Sequence, residues 1–240
     1  VIEWAEELQK PVLILEPLQC GYPWASDRLH HFVLDGMAQN AKEITGSGAL
    51  YYPYVEAASG DGKELLAALA PRACVVVTDE FPCFMYPQMI TAAARQLSVR
   101  FEQVDSNGLL PLRASDHAYP TAFAFRRFMQ QNLPNQLANF PQANPFRGKK
   151  LPRLRASPAE IAKRWPPVEL GSLEDREKLV GQLPIDHSVA KAPFHGGQLT
   201  ARKVLKTFLR SRLARYALER NEPQKDGTSG LSPYLHFGHI

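Results

Sequence analysis

The chain has 240 residues and a mass of 26.8 kDa, enough for one large domain or two ordinary ones with a real core. Apolar residues make up 45% and charged residues 22%, which excludes a disordered chain, and no run long enough to span a membrane occurs. The net charge of +4 is unevenly placed: residues 1–146 carry 10 Lys+Arg against 15 Asp+Glu, and residues 147–240 carry 18 against 9. That split predicts two modules, the second offering either a solvated basic surface or a face for an anionic partner.

Residues 1–9 read as the end of an amphipathic helix, with Ile2, Ala5 and Leu8 on one face. Residues 12–15, after Pro11, form a short apolar run of the kind found in buried parallel strands. Residues 29–42 repeat apolar side chains at helical spacing, with Asp27 as the expected N-cap. A Tyr-rich strand is expected at 49–55, a helix at 61–69 and a central strand at 73–78 running to Asp79. A helix at 87–97 follows, with Pro87 in its tolerated first turn, and then a strand at 99–104. This alternation predicts a parallel sheet covered by helices on both faces. A ligand could sit at the carboxyl ends of such strands, near Glu16 or Asp79, although caps or surface groups are the plainer roles for these acids. The glycine fingerprints of common dinucleotide and triphosphate sites are absent.

A helix is expected at 119–132. Residues 133–154, with Pro134, Pro141, Pro145, Pro152 and Lys149-Lys150, have linker composition. Ser157-Pro158-Ala159-Glu160 reads as a capping box with proline in the first turn. Residues 166–199 look irregular, and residues 200–220 are the strongest helical stretch, with Leu205, Phe208, Leu209, Leu213, Tyr216 and Ala217 on one stripe.

The most specific text lies at the end of the chain. Gly227-Thr228-Ser229-Gly230 is a turn dense in hydroxyls and accessible N–H groups, which suit phosphate oxygens. Ser232, before Pro233, is expected to cap a following helix, whose N-terminus favours an anion. Alone, this is as consistent with an ordinary capped loop. The segment resembles, however, the FAD-binding signature of the photolyase/cryptochrome family, a Tyr followed by Thr-Ser-x-Leu-Ser-Pro-Tyr-Leu-x-Phe-Gly. Tyr216 stands twelve residues before Thr228, the spacing of that signature.

Further stretches resemble the class II cyclobutane pyrimidine dimer photolyases. They are Val77-Thr78-Asp79, Val104-Asp105-Ser106-Asn107 with Pro111, and Ala114-Ser115-Asp116 with Tyr119. Asp186-His187-Ser188-Val189 leading to Gly196-Gly197, Arg220-Asn221-Glu222-Pro223 and Leu235-His236-Phe237-Gly238 complete the set. Thr228-Ser229-Gly230 departs toward the class I form of the loop. The resemblance implies a Rossmann-like α/β antenna domain with a parallel sheet at 1–132, a linker at 133–156, and the beginning of an all-α FAD-binding domain at 157–240. Tyr216, Thr228, Ser229, Gly230, Leu231 and Ser232 would hold FAD, and Arg220 and Asn221 are candidate DNA contacts. It further implies a light-driven enzyme, a carbon–carbon lyase that splits pyrimidine dimers in damaged DNA with an electron from reduced flavin. A flavin photoreceptor of the cryptochrome type is the alternative. An antenna chromophore, folate or deazaflavin, fits the family, but no residue selects one.

The chain lacks an initial Met and ends within an apolar stretch, so it is expected to be part of a longer protein and by itself to bind FAD weakly or not at all. No catalytic residue is assigned, and no metal site is expected. Cys20, Cys74 and Cys83 are too few and scattered for a disulfide framework, and no export signal opens the chain, so a monomer in a reducing cytoplasm is expected. Trp4, Trp24 and Trp165 read as packing groups. His187 and His195 lack an obvious acidic partner, and His236 is the histidine nearest the motif.

Overall fold

A computed structural model describes residues 1–138 and 141–240. Helix α1 (Ile2–Leu8) leads into strand β1 (Leu13–Leu18), and helix α2 (Asp27–Ile44) returns the chain to strand β2 (Leu50–Val55). Helix α3 (Leu65–Leu69), strand β3 (Val75–Asp79), helix α4 (Tyr86–Gln96) and strand β4 (Arg100–Val104) repeat the pattern before helix α5 (Ala122–Gln136). The remainder is helical: α6 (Ala159–Arg164), α7 (Leu173–Val180), α8 (Gln198–Ser211), α9 (Tyr216–Glu219) and α10 (Ser232–His236). Strands β1 and β2 pair in parallel from Leu13↔Leu50 to Leu18↔Val55, and β3 and β4 from Val75↔Arg100 to Asp79↔Val104. The parallel sense follows from the helical crossovers. The strands form two separate two-stranded sheets rather than one continuous sheet, so the chain is a mixed α/β protein with small parallel sheets.

Several helix ends differ from expectation for local reasons. Ser26, not Asp27, occupies the N-cap of α2; Asp27 is its first helical residue. The helix expected from residue 61 begins only at Leu65. The carboxylate of Glu56 accepts from the N–H groups of Gly60 (2.7 Å) and Gly62 (3.3 Å), and Asp61 accepts from the Ala58 N–H (3.0 Å), which fixes 56–62 as a loop. The capping box does not form at Ser157; Pro158 takes the N-cap of α6 and no side chain caps it. It forms at Ser172 and Asp175, opening α7 in a stretch expected to be irregular. Its reciprocal bonds hold the Asp175 carboxyl below the usual carboxylate range. The long helix expected at 200–220 breaks at Arg212, continues as a 3-10 turn at Leu213–Arg215, and restarts as α9.

The chain divides into two compact units. One comprises Val1–Trp4 and Glu64–Lys149, the other Ala5–Lys63 and Lys150–Ile240. These units cut across the segments inferred from composition. In the second unit, Leu18 and Val55 from the strands, Leu34 and Met37 from α2, and Val180 and Leu183 from α7 and its exit share one buried cluster. Residues far apart in sequence thus remove a common apolar surface from water. Residues 165–168 cover the outer edge of β2. The Val168 N–H donates to the Pro53 carbonyl (2.9 Å), the Tyr52 hydroxyl donates to the Trp165 carbonyl (2.5 Å), and the Trp165 indole donates to the Asp61 carbonyl (2.7 Å). Glu16 accepts from Tyr51 (2.5 Å) and Asn40 (2.9 Å), a bracing role within the β1–β2 layer.

In the first unit, the Trp4 indole donates to Glu102 (2.6 Å) under the Arg100 guanidinium. Asp79 accepts from Ser106 (2.7 Å), and Glu80 pairs with Arg113 (2.5 Å). Asp79 therefore fastens the loops at the carboxyl ends of β3 and β4. Trp4 and Trp165 are packing groups as expected, whereas Trp24 is 70% exposed.

Candidate functional site

The hydroxyl-rich bend is shaped by what lies behind it. Gly227 is buried against α9: a Cβ there would stand 2.6 Å from Glu219 Cβ and 2.7 Å from its carbonyl carbon, so only glycine lets the chain pass. Gly230 takes φ +70°, the left-handed region that turns the chain back. Leu231 is buried with Phe32, Ala201 and Tyr234, and anchors the bend to α2 and α8. Thr228 and Ser232 are exposed and Ser229 is half-buried. The Ser229 hydroxyl accepts from the Leu231 N–H (3.3 Å), and its proton finds no acceptor among the described residues. Ser232 does not cap the last helix. Leu231 occupies the N-cap and Ser232 is the first residue of the five-residue α10, because burial of Leu231 starts the helical turn one residue early.

Tyr216 opens α9, half-buried, with its ring edge-on to Phe208 (5.4 Å) and Arg220 over its face (5.7 Å). Asn221 follows on the surface. Residues 228–232 therefore present three hydroxyls and no carboxylate, a donor set that suits a phosphate. Beside α9 lies an open cavity of about 680 Å³ where Arg212, Arg215 and Lys225 meet Glu219 and Asp226. Its cations are already paired: Arg212 with Asp226 (2.8 Å), and Arg215 (3.3 Å) and Lys225 (3.7 Å) with Glu219.

The groups that hold this region in place were not marked in the sequence. Asp35, on α2, accepts from Arg176 (3.3 Å), His195 (3.0 Å) and the Gly196 N–H (3.1 Å). The next N–H, of Gly197, donates to His239 Nδ1 (2.8 Å), and the His239 ring stacks on Phe32 (4.9 Å). The Tyr234 hydroxyl donates to the His195 carbonyl (2.9 Å). One turn, 195–197, thereby ties α2 to the helix that follows the bend. An acid one turn beyond Phe32, and two glycines in a loop, are the only traces of this joint in the sequence.

The histidines also differ from expectation. His187 and His195 do have acidic partners, Asp27 (2.7 Å) and Asp35, supplied by α2 from about 160 residues away. The bond to Asp27 raises the His187 pKa above its ordinary value. No cluster able to hold a metal occurs among the described residues. His236 is exposed, and His239 is the buried histidine of the motif. Burial pushes the His239 pKa down, against the opposing pull of Asp35. The folded state therefore keeps this ring neutral where the unfolded chain, with a pKa of about 6.5, takes up a proton. Stability is unaffected by this group above that value and declines as pH falls below it. Thermal midpoints of the full-length protein measured from pH 7 to 5 should show a fall that His239→Gln makes shallower; an identical fall in the variant would exclude His239 as its source.

The chain shares the fold of a photolyase. The structure superposes on the crystal structure of a bacterial class III photolyase from Agrobacterium tumefaciens with a TM-score of 0.69, at 20% identity, over 100% of this chain and 47% of that one. Among curated proteins, the chain is 27% identical over its full length to a deoxyribodipyrimidine photo-lyase of Methanothermobacter thermautotrophicus, of which it covers 49%. It is 27% identical over 224 residues to the enzyme of that name from Potorous tridactylus, covering 38% of it, and 26% identical to that from Arabidopsis thaliana, covering 47%. The chain thus spans about half the length, or less, of the curated relatives it matches. No protein-family model matches it. No helix among the described residues is long and apolar enough to cross a membrane.

Proposed function

We propose that this chain is a segment of a flavin-dependent photolyase of class II type, which splits cyclobutane pyrimidine dimers in DNA under light. The observation that carries the reading is the bend at 228–232, where Thr228 and Ser232 are exposed and Ser229 half-buried while Leu231 is locked into the core behind them. Similarity to three photo-lyases over 90–100% of this chain supports it. In this reading Thr228, Ser229 and Ser232 donate to the FAD diphosphate, and Gly230 and Leu231 set the backbone that approaches it. Tyr216 supplies a neighbouring wall. Residues 1–132 serve as the Rossmann-like antenna domain, 133–156 as the connector and 157–240 as the beginning of the helical FAD-binding domain. Bound reduced FAD supplies the light-absorbing electron donor; the chain's own part is to bind it, orient it and exclude water from it. Arg220, exposed beside Tyr216, and Asn221 contact phosphates of damaged DNA. The protein works as a monomer in the cytoplasm.

Full-length protein carrying Ser229→Ala with Ser232→Ala should retain at most a tenth of the wild-type flavin after desalting, read from the visible spectrum. That is the effect of losing two hydrogen bonds to a charged group at roughly 1.5–3 kcal/mol each. Undiminished flavin would refute the phosphate assignment. Blue light applied to dimer-containing DNA tests the reaction: flavin-loaded protein that leaves the dimers intact would favour a cryptochrome-like sensor.

A further inference from the structure

Helix α8 carries four cations and no acid over its 14 residues. Arg202, Lys203, Lys206 and Arg210 are all exposed, and none has an ion-pair or hydrogen-bond partner among the described residues. Several neighbouring cations differ. Arg176, Lys191, Arg212, Arg215 and Lys225 are each matched to a carboxylate. A helical turn advances 100° per residue, so Lys203, Lys206 and Arg210 lie within about 60° of one another. They stand opposite Ala201 and Phe208, which are buried.

The buried side of the helix settles what the outer side can do. Ala201, Val204 and Leu205 pack in the cluster of Phe32, Leu231 and Tyr234. An amphipathic helix that lies in a membrane needs its apolar face free, and this face is taken. Leu199 and Leu209 are exposed singly beside the cations and offer no continuous apolar stripe. The remaining attraction is electrostatic. From Lys203 to Arg210 the helix rises about 10 Å, which matches about three phosphates at roughly 3.4 Å of axial rise per strand. Lysine and arginine on flexible stems bind such phosphates as positioning contacts without reading bases.

We propose that the outer face of α8, Lys203, Lys206 and Arg210 with Arg202 beside them, is a tracking ridge for the phosphate backbone of duplex DNA. It supplies lesion-independent affinity, separate from the flavin bend. The choice of DNA as the polyanion rests on the photolyase reading; the ridge itself rests on α8.

The test is binding of full-length protein to an undamaged duplex in the dark, over a series of salt concentrations. Each phosphate contact contributes about 0.9 to the slope of log K against log salt. Lys203→Gln with Lys206→Gln and Arg210→Gln should lower the slope by roughly 2.7, while Lys203→Arg with Lys206→Arg keeps it. A circular dichroism melt confirms that the variants fold. An unchanged slope in a folded triple variant overturns the ridge. So does ridge-dependent binding to phosphatidylserine vesicles without binding to the duplex. The assay needs neither flavin nor light, so the two readings fail separately. Colourless protein that still loses the slope on substitution refutes the photolyase reading and supports the ridge.

Discussion

Replacing Asp35 by alanine is expected to cost about 3 kcal/mol of stability, the lower end of the range for stripping one partner from a buried ion pair, because this pair is part-buried. The side chains of Asp35 and Arg176 are only 12% and 14% exposed, and Arg176 Nε already lies buried without an acceptor among the described residues. Removing the carboxylate leaves the guanidinium with the Gly171 carbonyl alone (2.9 Å), and strips the acceptor from His195 and the Gly196 N–H. The second substitution decides the mechanism. Arg176→Met introduced into the Asp35→Ala background removes the uncompensated charge and should recover a large part of the loss. Denaturant unfolding of the full-length protein, of Asp35→Ala, of Arg176→Met alone and of the double variant gives the coupling energy. Additive effects, or a loss below about 1 kcal/mol for Asp35→Ala, would show that the joint between α2 and the 195–197 turn does not hold the fold.

Gly196→Ala should destabilise the protein by about 3 kcal/mol, because the new methyl has nowhere to go. Its Cβ would stand 2.0 Å from the Phe32 carbonyl oxygen and 3.0 Å from His239 Cε1. The first of these atoms is backbone within α2, so relief requires moving the helix rather than rotating a side chain. Phe32 also packs on Leu231 and Tyr234, so displacement of α2 should loosen the bend at 228–232 and reduce flavin retention in the full-length protein. Gly108→Ala is the matched control: its nearest neighbour is 4.0 Å away, and the change should stay within about 0.5 kcal/mol. A folded Gly196→Ala protein with an unshifted denaturation midpoint would mean that α2 and the turn do not meet at this distance.

Both effects concern contacts between residues 141 to 161 or so positions apart, and this is where the sequence was least informative. Periodicity located all four strands and most helices, since alternation and helical spacing are imposed by local burial. It missed α7, whose eight residues carry too little apolar pattern to stand out, although its Ser-x-x-Asp start is a legible cap. It overran at 61–64 and at Arg212, where backbone geometry is set by the carboxylate of Glu56, four to six residues upstream, in one case, and by a break in the helix beside an Arg212–Asp226 pair in the other. Ser232 was misplaced by one residue for a similar reason, because burial of Leu231 outweighed the capping preference of serine.

The order of residues alone determined the strand-helix alternation, the excess of positive charge after residue 147 and the Tyr216-to-Ser232 motif, because each depends only on neighbours along the chain. The pairing of strands into two small sheets, the acid partners of His187 and His195, and the anchoring of Leu231 on Phe32 were decided only in three dimensions. The histidine partners and the anchoring of Leu231 arise where α2 and segments beyond residue 160 bury a shared apolar surface, and a polar group or ring then takes whichever partner that packing brings within reach.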